Sequence, residues 1–263
     1  MIIDGKKIRD EMKDELRTRF ANLPTAKLGA VLVGDNVVSA KYVALKQKFG
    51  TDVGVEVLNF EYPQDITEAD LMEEVARLVG RQDISGLLVQ LPLPSQINTE
   101  KILDLIPPEK DVDALGPEPK VLPPVVKALE IILEKQNYSV SGKKAVVVGS
   151  GRLVGAPTAI WLIQNGASVE VATLETTPEE LKEKTLQADL IVLGAGVPGL
   201  LKPDMVKEGV VILDAGTSEE AGKLVGDADP AVAAKALIFT PVPGGVGPIT
   251  LAGLFSNLAD LLK

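Results

Sequence analysis

The chain has 263 residues, of which 46% are hydrophobic and 24% charged, and its 37 acidic residues outnumber its 27 basic residues for a net charge of −10. This composition is that of a globular protein with one large domain or two ordinary ones, and an acidic surface without a basic run disfavours nucleic-acid binding. Cysteine and histidine are both absent, so thiolate catalysis, disulfides and a Ser-His-Asp hydrolase are excluded, and proton chemistry falls to Lys, Tyr, Asp or Glu.

The apolar runs of the sequence are all too short to cross a bilayer. Residues 1–7 carry charges where a secretory signal would need an apolar core. We therefore expect a cytoplasmic protein without a membrane partner, and the sequence predicts no metal site.

The first half of the chain alternates short apolar runs with helical patterns. Strands are predicted at 28–33, 55–60 and 86–91, and helices at about 36–50, 67–80 and 99–105. Such alternation predicts parallel strands joined by crossover helices. The proline-rich stretch 107–124 follows and is the best candidate for a domain boundary.

The first predicted helix carries Tyr42 and Lys46, which are four residues apart and therefore share one face. A phenol beside an amine can handle protons in a cleft, because a desolvated lysine loses its charge readily. The alternative is an ordinary solvated lysine beside a half-buried tyrosine, and the spacing alone favours this alternative.

Two further segments of the first half carry polar side chains. Gln90 ends an apolar strand, where its amide can hydrogen-bond both a ligand and a lysine, although a capped loop glutamine is the alternative. Asp111 and Asp113 lie on the same side of an extended segment. Two carboxylates are too few for a convincing metal site, and a polar loop is the alternative.

The strand and helix pattern restarts at Lys143. Strands are predicted at 144–148, 168–173, 190–193, 210–214 and 237–240, and helices at 125–136, from about 153 to 165 and from 178. This pattern predicts a short doubly wound sheet. The last segment, 249–263, reads as an apolar helix that could pack back on the first domain.

A glycine-rich turn follows the first strand of the second half, with glycines at 149, 151 and 155. Glycines permit a tight turn and let the backbone approach a pyrophosphate at a helix N-terminus. The spacing G-x-G-x-x-x-G departs from G-x-G-x-x-G, and a strand-to-helix connection without a ligand is the alternative. Gly194 and Gly196 end another strand and favour the dinucleotide reading.

The segment 240–250 places three prolines and three glycines between a strand and a helix. Rigid turns with exposed backbone groups can cradle a flat ligand. A structural crossover between domains is the alternative.

Together these segments resemble the methylenetetrahydrofolate dehydrogenase/cyclohydrolase family over nearly the whole chain. In chain order they are Tyr-Val-x-x-Lys-x-Lys, Val-Gln-Leu-Pro-Leu-Pro, Lys-Asp-Val-Asp, the Val-Val-Gly turn ending in Val-Gly-Ala-Pro, and Thr-Pro-Val-Pro-Gly-Gly-Val-Gly-Pro. The resemblance implies an α/β fold of two domains, usually a homodimer, with a cleft between them. Residues 1–123 plus 246–263 would form the folate-binding catalytic domain, and 124–245 a Rossmann-type NAD(P)-binding domain, with the C-terminal helix returning to the first.

The resemblance also implies an activity in one-carbon metabolism and purine biosynthesis. This activity is oxidation of 5,10-methylenetetrahydrofolate to the methenyl form with hydride transfer to NAD(P), followed in many members by hydrolysis to 10-formyltetrahydrofolate. By motif position Lys46 is the catalytic lysine, Tyr42 borders the folate, Gln90 orients the lysine and Asp113 holds the pterin. Pro243, Gly244 and Gly247 would line the folate pocket. The cofactor would contact Gly149, Ser150, Gly151, Arg152, Val154, Gly155, Thr173, Glu175, Gly194, Gly196, Thr217, Gly245 and Thr250.

The sequence departs from the family at the cofactor positions. Ser150-Gly151 replaces an Arg-Ser pair, and Thr173-Leu174 replaces a His-Ser pair. Glu175 lies where an acidic residue often binds the ribose hydroxyls of NAD, and its charge would repel a 2′-phosphate. NADP is the family default, and Ser150, Leu174 and Glu175 make NAD an alternative.

The sequence also departs beside the folate positions. Ala114 replaces a glycine, and the following loop is cut down to 115–124. The alternatives to a bifunctional enzyme are therefore a monofunctional NAD-dependent methylene-pterin dehydrogenase without cyclohydrolase activity, and a non-catalytic dinucleotide-binding regulator.

Overall fold

The computed structural model describes residues 1–220 and 222–263. The chain divides into two compact units. Asp10–Pro124 and Leu251–Lys263 form one, here called the three-strand unit, and Met1–Arg9 and Val125–Thr250 form the other, the five-strand unit. None of the helices among the described residues is long and apolar enough to cross a membrane.

The three-strand unit is a small parallel sheet with helices between its strands. Its sheet order is β2-β1-β3, with β1 parallel to both neighbours. The side chains of β1 are buried except at its first residue, as the continuous apolar run predicts for a strand covered on both faces. The elements in chain order are α1 (Gly5–Ala21), β1 (Lys27–Val33), α2 (Val37–Val53), β2 (Glu56–Tyr62), α3 (Glu68–Val79), β3 (Gly86–Val89) and α4 (Thr99–Leu103).

The five-strand unit is a doubly wound parallel sheet. Its order is β10-β7-β6-β4-β5, so β4, β6 and β7 lie in the middle and are buried except at Lys144, the first residue of β4. The elements that follow α4 in chain order are α5 (Pro124–Lys135), β4 (Lys144–Val148), α6 (Gly155–Gln164), β5 (Ser168–Ala172), α7 (Pro178–Gln187), β6 (Leu190–Leu193), β7 (Val210–Asp214), the antiparallel pair β8 (Ser218–Glu220) and β9 (Lys223–Val225), β10 (Ala236–Thr240) and α8 (Val246–Leu261). Two short 3-10 helices lie at Pro203–Met205 and Pro230–Ala234.

The predicted α/β fold with two parallel sheets is confirmed, and most predicted elements lie within two residues of the observed ones. Helix α6 begins at Gly155 rather than near 153, because Val154 has non-helical backbone angles. Helix α8 begins at Val246 rather than 249, because Pro248 falls in the first turn, where a proline costs no hydrogen bond. Helix α1 and the β8–β9 pair were not predicted.

The C-terminal helix packs in the three-strand unit from Leu251 onward, as predicted. The ring of Phe255 lies 5.1 Å from that of Phe49, centroid to centroid. At the other end of the chain, Met1–Arg9 groups with the five-strand unit, whereas the expected domains placed it in the first. The reason is backbone pairing, since Ile2 bridges Phe239 and the Ile3 N–H donates to the Phe239 carbonyl at 2.8 Å.

Candidate active site

Helix α2 holds Tyr42 and Lys46 one turn apart on a well-defined helix. Asn36 caps its N-terminus by accepting the N–H groups of residues 38 and 39, and Gly54 ends it in the left-handed conformation with φ of 83°. Gly50 lets the helix pack closely on β2, because a Cβ there would lie 2.6 Å from a Val57 methyl group. These features fix where the lysine side chain starts.

The side chain of Lys46 reaches Gln90, the residue that follows strand β3. Its Nζ donates to Oε1 of Gln90 at 2.8 Å. The amide of Gln90 is itself oriented, because its Nε2 donates to the Leu91 carbonyl at 2.9 Å and its backbone N–H donates to the Val31 carbonyl at 2.8 Å. The acceptor oxygen of Gln90 is therefore held toward the lysine by its own strand end.

Burial favours the uncharged form of both ionisable groups at this point, Lys46 and Asp113, so their pKa values move in opposite directions. Desolvation lowers the pKa of Lys46, and the negative charge of Asp113 partly opposes that change. Desolvation raises the pKa of Asp113, while Lys46 lowers it and Asp111 raises it further. A lysine in this setting can hold an uncharged amine at a lower pH than a solvated lysine can.

The two aspartates of the Lys-Asp-Val-Asp segment have different surroundings. Asp111 is buried and accepts the N–H of Gly116 at 2.8 Å, so it closes a tight loop. Lys110 donates to the carbonyl of Val79, the last residue of α3, at 2.8 Å and to that of Arg81 at 2.7 Å. The polar-loop alternative therefore describes Lys110 and Asp111. Of the two aspartates, Asp113 is the one whose charge acts on Lys46.

Asn257 of helix α8 holds the shortened loop that follows Asp113. The fully buried amide donates to the carbonyls of Val112 and Leu122 at 2.9 and 2.8 Å, one on each side of the loop. Within the loop Ala114 has a φ of 54°, which favours glycine and accounts for the glycine expected there. Asn257 was missed by sequence reasoning, although a polar residue in an otherwise apolar helix was a usable signal.

Three glycines of the five-strand unit are required by close packing at the turn after β4. A Cβ on Gly149, which has φ of 100°, would lie 2.5 Å from the Gly194 carbonyl oxygen. A Cβ on Gly155 would lie 2.0 Å from the Gly149 carbonyl oxygen, and one on Gly194 would lie 2.5 Å from Val154. The turn after β4, the start of α6 and the end of β6 therefore meet with no room for side chains.

Two other glycines of this region, Gly151 and Gly196, have open space where a Cβ would lie. No side chain caps the N-terminus of α6, where Val154 occupies the capping position. Exposed N–H groups at a helix start and open glycine surfaces are the features with which such turns hold a pyrophosphate. The residues present therefore fit a dinucleotide, and Ser150 and Arg152 are exposed on the same turn.

The turn after β5 lies next to the glycine turn, since the Gly149 N–H donates to the Ala172 carbonyl at 2.8 Å. Its residues Thr173 and Glu175 are exposed, and the side chain of Leu174 is completely exposed. The Glu175 N–H donates to the Thr173 hydroxyl at 3.3 Å, which stabilises the turn locally. Glu175 thus lies in an exposed turn that directly follows the carboxyl end of β5.

The proline- and glycine-rich segment belongs to the five-strand unit as far as Thr250. Gly245 and Gly5 pack together, because a Cβ on Gly5 would lie 1.8 Å from the Gly245 carbonyl oxygen. Gly244 has φ of 108° and accepts the Gly5 N–H at 2.8 Å, and the peptide bond before Pro243 is cis. This segment is therefore a rigid turn braced by the N-terminus of the chain.

The remaining predicted residues of the five-strand unit are placed as follows. Gly247 has open space around its Cα, the Thr250 hydroxyl donates to the Val246 carbonyl at 3.1 Å, and Thr217 is exposed beyond β7. Pro243, Gly244 and Gly247 thus lie in this unit, while Tyr42, Lys46, Gln90 and Asp113 lie in the three-strand unit. Among the described residues, no cluster of three or more carboxylates that could hold a metal was found.

Two buried aspartates of the five-strand unit were missed by sequence reasoning. Asp227 accepts three backbone N–H groups of the turn after β6, and Asp214 ends β7. Burial raises the pKa of Asp214 to about 6, with Asp227 nearby adding to the rise. The available signal was a glycine next to or near each of them, Gly216 and Gly226, because glycine permits close approach of a buried carboxylate.

Both halves of the chain match models of one protein family. Residues 3–113 match the catalytic domain of tetrahydrofolate dehydrogenase/cyclohydrolase, and residues 123–263 match its NAD(P)-binding domain. The stretch between the two matches contains most of the loop that the sequence analysis identifies as shortened.

Relatives and solved structures agree with this match along the full chain. The chain is 40% identical to the bifunctional protein FolD of Methanospirillum hungatei, covering 100% of this chain and 98% of that protein, and 38% identical to that of Lacticaseibacillus casei, covering 99% and 97%. It superposes with a TM-score of 0.96 on the bifunctional methylenetetrahydrofolate dehydrogenase/cyclohydrolase FolD of Campylobacter jejuni, at 37% identity over 100% and 98% of the two chains. The corresponding enzyme of Trypanosoma brucei, complexed with NADP and an inhibitor, gives 0.95 at 32% identity over 100% and 97%. The chain therefore belongs to the tetrahydrofolate dehydrogenase/cyclohydrolase family.

Proposed function

We propose that this protein oxidises 5,10-methylenetetrahydrofolate to 5,10-methenyltetrahydrofolate, passes the hydride to a nicotinamide dinucleotide, and hydrolyses the product to 10-formyltetrahydrofolate. The observation that carries the proposal is the partly buried Lys46 held by Gln90 beside Asp113, in a chain that also has a glycine turn suited to a dinucleotide.

The two reactions ask different things of the protein. Hydride leaves a carbon flanked by two nitrogens, whose lone pairs drive the step, so oxidation requires alignment more than an acid or base. Hydrolysis requires activation of a water molecule and proton transfer. Lys46, with its lowered pKa, is the group in this cluster suited to that second task.

The folate contacts follow from the same cluster. Asp113, whose pKa is raised by burial, would hydrogen-bond the pterin ring, and the partly exposed ring of Tyr42 would border it. Gln90 would keep the lysine amine directed at the reacting carbon through its 2.8 Å hydrogen bond. Pro243, Gly244 and Gly247 remain predicted folate contacts from the family motif.

For the dinucleotide we propose NADP, as in the Trypanosoma brucei relative. The pyrophosphate would lie at the N-terminus of α6 against Gly151 and Gly155. Leu174 and Glu175 are exposed in the turn where the ribose would bind, so we expect weaker discrimination against NAD than an Arg-Ser and His-Ser pair would give.

The monofunctional alternative rests on the short loop after Asp113. The alignment with the Methanospirillum hungatei relative spans 276 positions against the 263 residues of this chain, so the relative carries insertions that this chain lacks. Against that alternative, Asn257 holds both sides of the short loop, and Lys46 and Gln90 remain in contact. We therefore favour a bifunctional enzyme.

We also propose a homodimer formed along the edge strand β5. Among the described residues, this strand pairs with β4 alone, and its residue Val171 is 41% exposed. On the adjacent helix α6, Ile160 and Ile163 are 57% and 60% exposed. An unpaired apolar strand edge favours pairing with a second copy. Sedimentation of the purified protein as a monomer at micromolar concentration would contradict this.

The cytoplasmic location, the place in purine biosynthesis and the absence of nucleic-acid and membrane partners stay predictions.

The proposed activity is tested with purified protein, methylenetetrahydrofolate and either NADP or NAD. Absorbance of the reduced dinucleotide reports the first reaction, and absorbance of the methenyl product, followed separately, reports the second. We expect reduction with transient methenyl absorbance. Reduction with lasting methenyl absorbance would support the monofunctional alternative, and no reduction with either dinucleotide would exclude the dehydrogenase activity.

A further inference from the structure

The carboxylate of Asp227 occupies a nest of backbone N–H groups at the end of strand β6. Its Oδ2 accepts the N–H groups of Ala195 and Gly196 at 2.7 and 3.0 Å, and its Oδ1 accepts that of Val197 at 2.8 Å. Asp227 itself has no solvent exposure, whereas the three hydrogen bonds are only partly buried, because Gly196 and Val197 are exposed. Charge-assisted bonds of this kind are the strong ones in proteins.

The backbone around Asp227 is fixed independently of its side chain. The Leu201 N–H donates to the Asp227 carbonyl at 3.0 Å, and Leu201 forms an isolated parallel bridge with Ala228. The carboxyl group lies directly over Gly216, where a Cβ would come within 2.2 Å of it. The side chain of Asp227 can therefore point only into the turn after β6.

Asp214 connects this arrangement to the two neighbouring strands. Its carboxylate accepts the N–H groups of Gly216 and Ala228 at 3.0 and 2.9 Å, and its own N–H donates to the Thr240 hydroxyl at 2.6 Å. Thr240 ends β10 and Asp214 ends β7. The carboxyl ends of β6, β7 and β10 are thus linked through two buried carboxylates, at the edge of the sheet where parallel folds bind ligands.

Successive N–H groups in a turn form a concave anion site that often binds phosphate. Here the protein's own carboxylate fills that site, so these three N–H groups are not available to a cofactor phosphate. The turn after β6 also packs against the glycine turn after β4, because a Cβ on Gly149 would lie 2.5 Å from the Gly194 carbonyl oxygen. What remains for a ligand is the open surface of Gly196, whose carbonyl accepts the Ser218 hydroxyl at 3.0 Å.

From this geometry we infer that Asp227 is a positioning residue for the dinucleotide site. Its carboxylate shapes the 194–197 turn and does not itself contact a phosphate of the cofactor. The inference rests on the proposed function, because it assigns the turn to dinucleotide binding. Without the carboxylate, these three backbone N–H groups would lose the acceptor that holds the turn together, and the turn would change shape. The consequence falls on the affinity for the dinucleotide, while the folate chemistry at Lys46, in the other unit, is spared.

The test compares Asp227→Ala and Asp227→Asn with Asp229→Asn, a nearby aspartate that caps the 3-10 helix Pro230–Ala234. We expect both Asp227 variants to raise KM for NADP and for NAD by roughly tenfold or more, the cost of losing charge-assisted hydrogen bonds. The kcat at saturating dinucleotide and the KM for methylenetetrahydrofolate should change by less than about threefold. Asp229→Asn should behave as the unmodified protein.

Two further measurements separate positioning from misfolding. Hydrolysis of methenyltetrahydrofolate supplied directly uses no dinucleotide, so each variant should retain it. Formate should restore the affinity of Asp227→Ala for NADP, because it can replace the missing carboxylate in the nest, and chloride at equal ionic strength should restore less. Unchanged dinucleotide KM in Asp227→Ala, or equal loss of both activities without rescue by formate, would overturn the inference. Failure of the proposed function itself appears separately, as no dinucleotide reduction by the unmodified protein.

Discussion

Lys46 and Gln90 are joined by a 2.8 Å hydrogen bond between the lysine Nζ and the amide Oε1. The acceptor is neutral, so it directs the lysine without adding a negative charge beside it. Desolvation can therefore keep the pKa of Lys46 below its usual value, with only Asp113 opposing. A carboxylate in place of Gln90 would orient the lysine equally well but would favour its charged form.

Gln90→Glu should therefore impair hydrolysis through the pKa of Lys46. The new carboxylate raises that pKa, so a higher pH is needed to produce the uncharged amine. We expect the acid limb of the cyclohydrolase pH profile to move upward by about 1 to 3 pH units, the usual effect of an opposite charge at this distance. The profile is measured with methenyltetrahydrofolate supplied directly. Gln82→Glu, an exposed glutamine in the loop before β3, is the matched control and should leave the profile in place.

Asp113→Asn should move the same limb in the opposite direction. Asp113 raises the pKa of Lys46 by its negative charge, and a neutral amide removes that effect. The acid limb should therefore lie at lower pH in the variant, provided that the profile is recorded above the raised pKa of Asp113. The KM for the folate should rise as well, because Asp113 is the proposed pterin contact. A limb that moves upward would contradict the assigned coupling.

Asn257→Ala should destabilise the loop that carries Asp113. The change leaves the buried carbonyl of Val112 and the partly buried carbonyl of Leu122 without the amide donor. We expect the free energy of unfolding in urea to fall by about 2 to 4 kcal/mol, and the KM for methylenetetrahydrofolate to rise. Ser256→Ala, one residue away, loses a 3.3 Å hydrogen bond to Arg19 and should cost less than about 1 kcal/mol. Equal effects of the two substitutions would argue against a specific role for Asn257.

Glu175→Gln should shift the choice of dinucleotide toward NADP. The exposed carboxylate would lie beside the ribose in the proposed cofactor site and would repel a 2′-phosphate, whereas the amide would not. We expect the ratio of kcat/KM for NADP to that for NAD to increase by about three- to tenfold, more at low salt than at high salt. Glu179→Gln on helix α7 provides a control of equal charge change. An unchanged ratio would place the ribose away from Glu175.

Much of the fold could be predicted because hydrophobic patterning determines buried parallel strands directly. The strands β4, β6 and β7 begin and end at the predicted residues, since each is a short apolar run buried on both faces. Helix α1 was missed although Met12, Leu16 and Phe20 repeat every four residues and are buried. Its polar remainder hides that stripe, and its average hydropathy is low.

The candidate site divides in the same way. Tyr42, Lys46 and Gln90 could be predicted as candidate site residues because they belong to contiguous motifs with a resemblance to known enzymes. Asp227 and Asn257 could not, because their hydrogen-bond partners lie about 30 and at least 135 residues away along the chain. A single sequence does not show which distant backbone groups a buried polar side chain will satisfy, whereas the folded backbone does.

We expect Lys46 to serve hydrolysis and to be dispensable for hydride transfer, and the Lys46→Met substitution separates these two roles. Methylenetetrahydrofolate and NADP are mixed with the variant, with the unmodified protein and with Lys48→Met, an exposed lysine on the same helix. Dinucleotide reduction and methenyl absorbance are followed separately in each mixture. We predict that Lys46→Met still reduces the dinucleotide, and that the methenyl product accumulates because it is then hydrolysed only at the uncatalysed rate. Lys48→Met should match the unmodified protein. Equal loss of both activities in Lys46→Met, or undiminished hydrolysis, would contradict the account.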